Sequence, residues 1–215
     1  MTKANATRAL GAFLLASAMA SQSAAVAGPA TTCTGSMTGG TYGSIEVPAG
    51  ASCTLTDVTV TGQVMARPDS ALTVFSSDLK AVHGLKAEIV RLFDNTISGN
   101  VHIHHGDTND SGQDIVLEGN TVGGQVHIHH NVGTIRVQDN AVKGHILIQH
   151  NYSHLIITDN SVGKNLQVMK TTSSDQKDVT GNAVAGQLHC FDNEAPFTGG
   201  PNASAKKVKG DCFVG

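Results

Sequence analysis

The fold is decided by the stretch Asn95-Thr-Ile-Ser-Gly-Asn-Val-His-Ile-His-His105, because it returns as Asn120-Thr-Val-Gly-Gly-Gln-Val-His-Ile-His-His130. The same frame continues in Asn140-Ala-Val-Lys-Gly-His-Ile-Leu-Ile-Gln-His150. It appears again in Asn160-Ser-Val-Gly-Lys-Asn-Leu-Gln-Val-Met-Lys170, where the glycine comes one place early. A fifth copy is Asn182-Ala-Val-Ala-Gly-Gln-Leu-His-Cys190, and Gly62-Gln-Val-Met-Ala66 is a weaker one upstream. The asparagines recur at intervals of 25, 20, 20 and 22 residues. A period of this length marks one supersecondary unit per repeat, which buries its apolar face only by stacking on its neighbours.

Between the copies lies a second alternating run: Val90-Arg-Leu-Phe-Asp-Asn95, Ile115-Val-Leu-Glu-Gly-Asn120, Ile135-Arg-Val-Gln-Asp-Asn140 and Leu155-Ile-Ile-Thr-Asp-Asn160. Each period therefore reads as two short strands with period-two alternation and one buried β-branched residue at a corner. Helical periodicity is absent, and the fixed leucine spacing of a leucine-rich repeat is missing. The expectation is an all-β, right-handed parallel β-helix of about seven to eight coils of ~20 residues. Stacking at about 4.8 Å would make inward columns of Val101, Val126, Ile146, Leu166 and Leu188, and of Ile103, Ile128, Ile148, Val168 and Cys190. Leu92, Leu117, Val137, Ile157 and Val179 would form a third. Asn95, Asn120, Asn140, Asn160 and Asn182 would form an asparagine ladder, since asparagine tolerates left-handed turns and its amide bonds to the amides above and below.

The ends read differently. Lys3 and Arg8 precede the apolar stretch Ala9 to Ala20, and Ala25-Val26-Ala27 fits a cleavage site, so residues 1–27 are expected to be a signal peptide. No later stretch reaches the ~18 apolar residues of a membrane span. Secretion or periplasmic location follows as an expectation. Without Lys3 and Arg8 the chain carries 12 basic against 17 acidic residues, the wrong balance for nucleic acid. Four cysteines in an exported chain imply two disulfides, and local pairing would join Cys33 to Cys53 and Cys190 to Cys212. The expected division is a cap and first coil over 28–56, repeats over 57–193, and a stapled terminal segment over 194–215.

The coil pattern, with the ending Gln187-Leu-His-Cys190-Phe-Asp-Asn193-Glu-Ala-Pro196-Phe-Thr-Gly199-Gly and Lys209-Gly-Asp-Cys212, resembles secreted bacterial right-handed β-helix repeat proteins of the pectate-lyase-like superfold. The resemblance covers most of the chain after residue 27 and implies fold rather than activity. Many proteins of that superfold cleave acidic polysaccharides, so an extracellular glycan is one partner it implies.

All eleven histidines lie between His83 and His189. With Val101 and Ile103 inward, His102 and His104 point outward, and the next coil repeats this with His127 and His129. His105, His130 and His150 form a further column at the strand end. Imidazoles at these spacings suit Zn²⁺, Cu²⁺ or Ni²⁺. Two other readings of the same face stay open: a solvated surface multiplied by repeat duplication, and a pH-dependent surface whose stacked rings repel once protonated. The longest period carries Asp107-Thr-Asn109-Asp-Ser111-Gly112, with Glu118 at the twelfth position, the oxygen-donor spacing of a calcium loop. It equally reads as a polar turn.

A polysaccharide lyase or hydrolase needs clustered carboxylates, or calcium with a nearby base, in a long groove. Arg91 and Arg136 are two coils apart, and Asp94, Asp139 and Asp159 sit where turns want them. Six Phe, two Tyr and no Trp leave little for stacking sugar rings. These features rank a glycan-active protein behind a metal-binding one, with a purely structural surface solenoid as the third class.

Overall fold

A strand of four to seven residues with apolar side chains on one face cannot bury that face alone, and here each coil buries it against the opposite wall of the same turn. The computed structural model describes residues 29–104, 114–204, 206–210 and 212. In one coil the chain runs through Val132–Gln138, passes the short strand Ala141–Val142, and returns along Ile146–Gln149. Tyr152–Thr158, Ser161–Val162 and Leu166–Met169 repeat the path in the next. Each strand pairs in parallel with its counterpart one coil on. The result is a parallel β-helix of about 8 turns, with a nine-stranded sheet on one wall and a 17-stranded sheet wrapping the other two.

The register places the three apolar columns as the alternation requires. Val101, Val126, Ile146, Leu166 and Leu188 are consecutive partners, as are Ile103, Ile128, Ile148, Val168 and Cys190. Leu92, Leu117, Val137, Ile157 and Val179 line the facing sheet. The corner residue is more than a turn, however. Ile97, Val122, Val142, Val162 and Val184 are buried in two-residue strands of their own, so each coil has three strands where alternation alone shows two. A two-residue strand is too short to show a period. Glycine recurs after that corner because the backbones nearly touch: a Cβ on Gly144 would collide with the Gly124 carbonyl, and one on Gly124 with that of Gly99.

The asparagine ladder exists and is longer than expected. Amide to amide, it runs Asn95–Asn120 at 3.0 Å, Asn120–Asn140 at 2.9 Å, Asn140–Asn160 at 3.0 Å and Asn160–Asn182 at 2.9 Å, and ends on Asn202 at 3.0 Å. Its residues are not themselves left-handed. The positive φ belongs to the residue before each one, at Asp94, Gly119, Asp139, Asp159 and Gly181. Asp94, Asp139 and Asp159 are therefore turn residues, as the sequence leads one to expect. A second ladder stands at another corner, where Asn131 donates to Asn151 at 3.2 Å behind His130 and His150, both at positive φ.

The terminal coils are closed covalently by Cys33–Cys53 and Cys190–Cys212, with Cα separations of 5.6 and 5.4 Å. Strands Phe197–Gly199, Ala203–Ser204 and Lys207–Gly210 still pair in parallel with the coil before them. Lys177 occupies an inward position between Leu155 and Phe197 and is fully buried. Its ammonium donates to the carbonyls of Ser173 at 2.5 Å and Asp175 at 2.9 Å, closing the loop over 170–176. Burial lowers its pKa.

Candidate metal centre

The histidine face belongs to three adjacent strands of the larger sheet, Asp78–Leu85, Val101–His104 and Val126–His129. Their inward residues are fully or almost fully buried, so the alternate residues must face out. One outward column reads Met65, His83, His102, His127, Leu147, Gln167 and His189. The column beside it reads Leu85, His104, His129, Gln149, Met169 and Phe191. The expected two-by-two patch is thus present, and His83 joins it as a fifth imidazole that the repeat reading passed over. Its repeat, Val82-His83-Gly84, has glycine where the later copies have isoleucine. That hides the alternation, although Val82 precedes Val101 by nearly one period. Gly84 fits because a Cβ there would meet Ile103 and Val90 at 3.3 and 3.2 Å.

The rings stack along the columns, with centroids 5.2 Å apart for His83–His102 and 5.1 Å for His102–His127. His104 stacks on His129 at 5.2 Å. Two nitrogen–nitrogen contacts run diagonally between the columns. His83 Nε2 lies 2.9 Å from His104 Nε2, and one coil later His102 Nε2 lies 2.9 Å from His129 Nε2. A contact this short needs a proton on one nitrogen and a lone pair on the other, so the two rings of a pair are not both cationic there. Among the described residues, two groups of three histidines, His83–His102–His104 and His102–His127–His129, each bring three ring nitrogens within 4.8 Å of one another.

Electrostatics favours the neutral ring at His83, His127 and His129. Partial burial lowers the pKa of His83, with the Arg67 guanidinium adding to it, and lowers that of His127, with His130 adding to it. His129 has its pKa pushed down to about 3, first by desolvation and then by His127, His102, His104 and His130 around it. Arg67 is itself paired with Glu46 at 3.0 Å.

Other candidate residues take different places. His130 and His150 stack on each other at 5.1 Å on the exposed left-handed corner, and His130 Nδ1 lies 2.8 Å from His129 Nδ1. His154 sits on the opposite sheet beside Thr134, away from the patch. His189 shares the first column but lies two coils below His127's neighbour Leu147, next to Lys209. His105, Asp107, Asn109 and Ser111 lie outside the described residues, as does the expected signal segment. Glu118 is described, between Phe93 and Gln138 on the nine-stranded sheet. Val116 separates Arg91 from Arg136, as expected, and Arg91 is engaged by Asp114 through Nε at 2.8 Å and Nη2 at 2.6 Å.

Fold and site together define a disulfide-closed parallel β-solenoid that presents a cluster of stacked imidazoles on one wall. No helix among the described residues is long and apolar enough to cross a membrane. No protein-family model, curated protein or solved structure matches the chain.

Proposed function

We propose that the chain is an exported metal-binding β-helix whose histidine face takes a Zn²⁺, Cu²⁺ or Ni²⁺ ion. The observation that carries this reading is the pair of nitrogen triads centred on His102. Tetrahedral coordination at about 2.0–2.1 Å separates ligand nitrogens by about 3.3–3.4 Å. That spacing falls between the 2.9 Å diagonal contact and the 4.8 Å outer limit, so small rotations of the rings suffice. Parallel pairing on both sides fixes the strands, and rings held neutral keep lone pairs for the ion. His130 has a positioning role: a proton on His129 Nδ1 donated to His130 Nδ1 leaves His129 Nε2 as the ligand atom. His150, stacked on His130, extends the edge of the patch. The two disulfides support an oxidising compartment.

The test is metal analysis of folded, exported protein with and without chelator. Native protein is expected to hold an ion that chelation removes, and to gain about 2.7 kcal/mol of stability at a free metal concentration of 100 Kd. A variant with His102, His104, His127 and His129 all replaced by alanine is expected to hold none. Unchanged metal content in that variant refutes the proposal. With the upper triad removed by His83→Ala, His130→Ala is expected to weaken binding by a further factor of about 10–100 without changing the number of ions bound, measured by competition with a chromophoric chelator.

A further inference from the structure

The two triads are copies of one arrangement displaced by a single coil, about 4.8 Å along the helix axis. The upper takes the diagonal pair His83–His104 and the lower the diagonal pair His102–His129. Yet they are not independent, because His102 belongs to both. A neutral imidazole offers one lone pair, its other nitrogen holding the proton, so His102 serves one ion at a time. Deprived of it, the upper group keeps only His83 and His104 and the lower only His127 and His129. Zinc sites want at least three protein ligands.

Resting on the metal reading above, we propose that the patch holds one zinc-class ion in either of two overlapping seats, with His102 as the ligand common to both. The ion passes between seats by ligand exchange alone. Its bonds to His83 and His104 break as bonds to His127 and His129 form, while the bond to His102 persists. All five ligands enter and leave as neutral imidazoles, so no electron changes hands. The released pair returns to its nitrogen–nitrogen hydrogen bond by moving one proton between the two nitrogens of a ring. The face is then a two-position track along the solenoid axis rather than a single fixed centre.

Zinc titration of the full, disulfide-intact chain by calorimetry tests this. Native protein is expected to bind one zinc. His83→Ala and His127→Ala should each still bind one, weakened by no more than about threefold, because one complete seat survives in either variant. His102→Ala should weaken binding by at least about tenfold, since it spoils both seats. The double variant His83→Ala/His127→Ala should show a comparable loss with His102 intact, which guards against a folding defect peculiar to position 102. Two zinc ions on the native chain overturn the shared-seat proposal. So does a loss in His83→Ala or His127→Ala as large as that in His102→Ala. No zinc on the native chain overturns this inference, and the same titration failing with Cu²⁺ and Ni²⁺ as well overturns the metal reading itself.

Discussion

Replacing Asn140 with alanine is expected to lower the unfolding free energy by about 3–4 kcal/mol, among the largest effects of any single polar substitution here. The side chain is 2% exposed and sits mid-ladder. Its Nδ2 donates to the carbonyls of Leu117 and Gln138, each at 2.8 Å, and to Asn160 Oδ1 at 3.0 Å. Its Oδ1 accepts from the Asn120 backbone at 3.0 Å and from Asn120 Nδ2 at 2.9 Å. Alanine removes all five contacts: the Asn120 N–H and the Leu117 carbonyl lose their bond to this side chain, whereas Asn120 Nδ2 keeps the carbonyls of Leu92 and Glu118, Asn160 Oδ1 keeps the backbone N–H of residue 140, and the Gln138 carbonyl keeps Gly119 N–H. Each unsatisfied buried group costs about 1–3 kcal/mol, and relaxation of the corner recovers part of the sum. Asn140→Asp is no rescue, because it keeps the acceptor but faces three acceptors without a donor. Asp139→Asn is the control. It changes the neighbouring left-handed residue, at φ 55°, to another that tolerates this conformation, and stability should hold within about 0.5 kcal/mol. Urea midpoints measure all three. A loss below about 1 kcal/mol in Asn140→Ala would mean the ladder is a by-product of stacking and contributes little to it.

That ladder also shows how far a sequence of this kind can be read. A period near 20 with apolar alternation fixes which residues must stack, because a one-residue slip would turn every inward valine and isoleucine to solvent. The columns through Val126, Ile128 and Val137 were legible for that reason. Local backbone conformation was not. Asparagine is the residue one notices, but the left-handed position falls on the aspartate or glycine before it, since the asparagine must point its amide into the corner. The same logic hid the second ladder, whose Asn131 and Asn151 follow the conspicuous histidines. At the site, alternation placed His102, His104, His127 and His129 correctly. It passed over His83 because Gly84 fills an inward position with the side chains of Ile103 and Val90 instead of its own. The diagonal nitrogen contacts depend on rotamers, which no spacing encodes. They are what turns a polar face into two overlapping triads.

Metal-free protein is expected to lose stability as pH falls from 7.5 to 4.5, by about 2 kcal/mol, with His129 the largest contributor. In the unfolded chain its imidazole titrates near 6.5. In the fold that value is pushed down to about 3 by desolvation and by His127, His102, His104 and His130. Between those limits the unfolded state binds a proton that the folded state refuses, so stability rises with pH across the window. It is complete above about 6.5, declines as pH falls through it, and the decline ends near 3. Each unit crossed is worth about 1.4 kcal/mol at most, and solvent around a half-buried ring screens part of it. His83, His127 and His189 are lowered in the same direction and add to the slope. Urea midpoints in the presence of chelator should therefore fall between the two pH values, and His129→Gln should flatten the fall by roughly half, because glutamine keeps a polar side chain but takes up no proton. If His129→Gln and the native chain lose stability in parallel as pH falls, the imidazoles are not held neutral by their packing. The pH dependence would then belong to carboxylates such as Glu46, whose pKa is lowered by its hydrogen bond to Arg67.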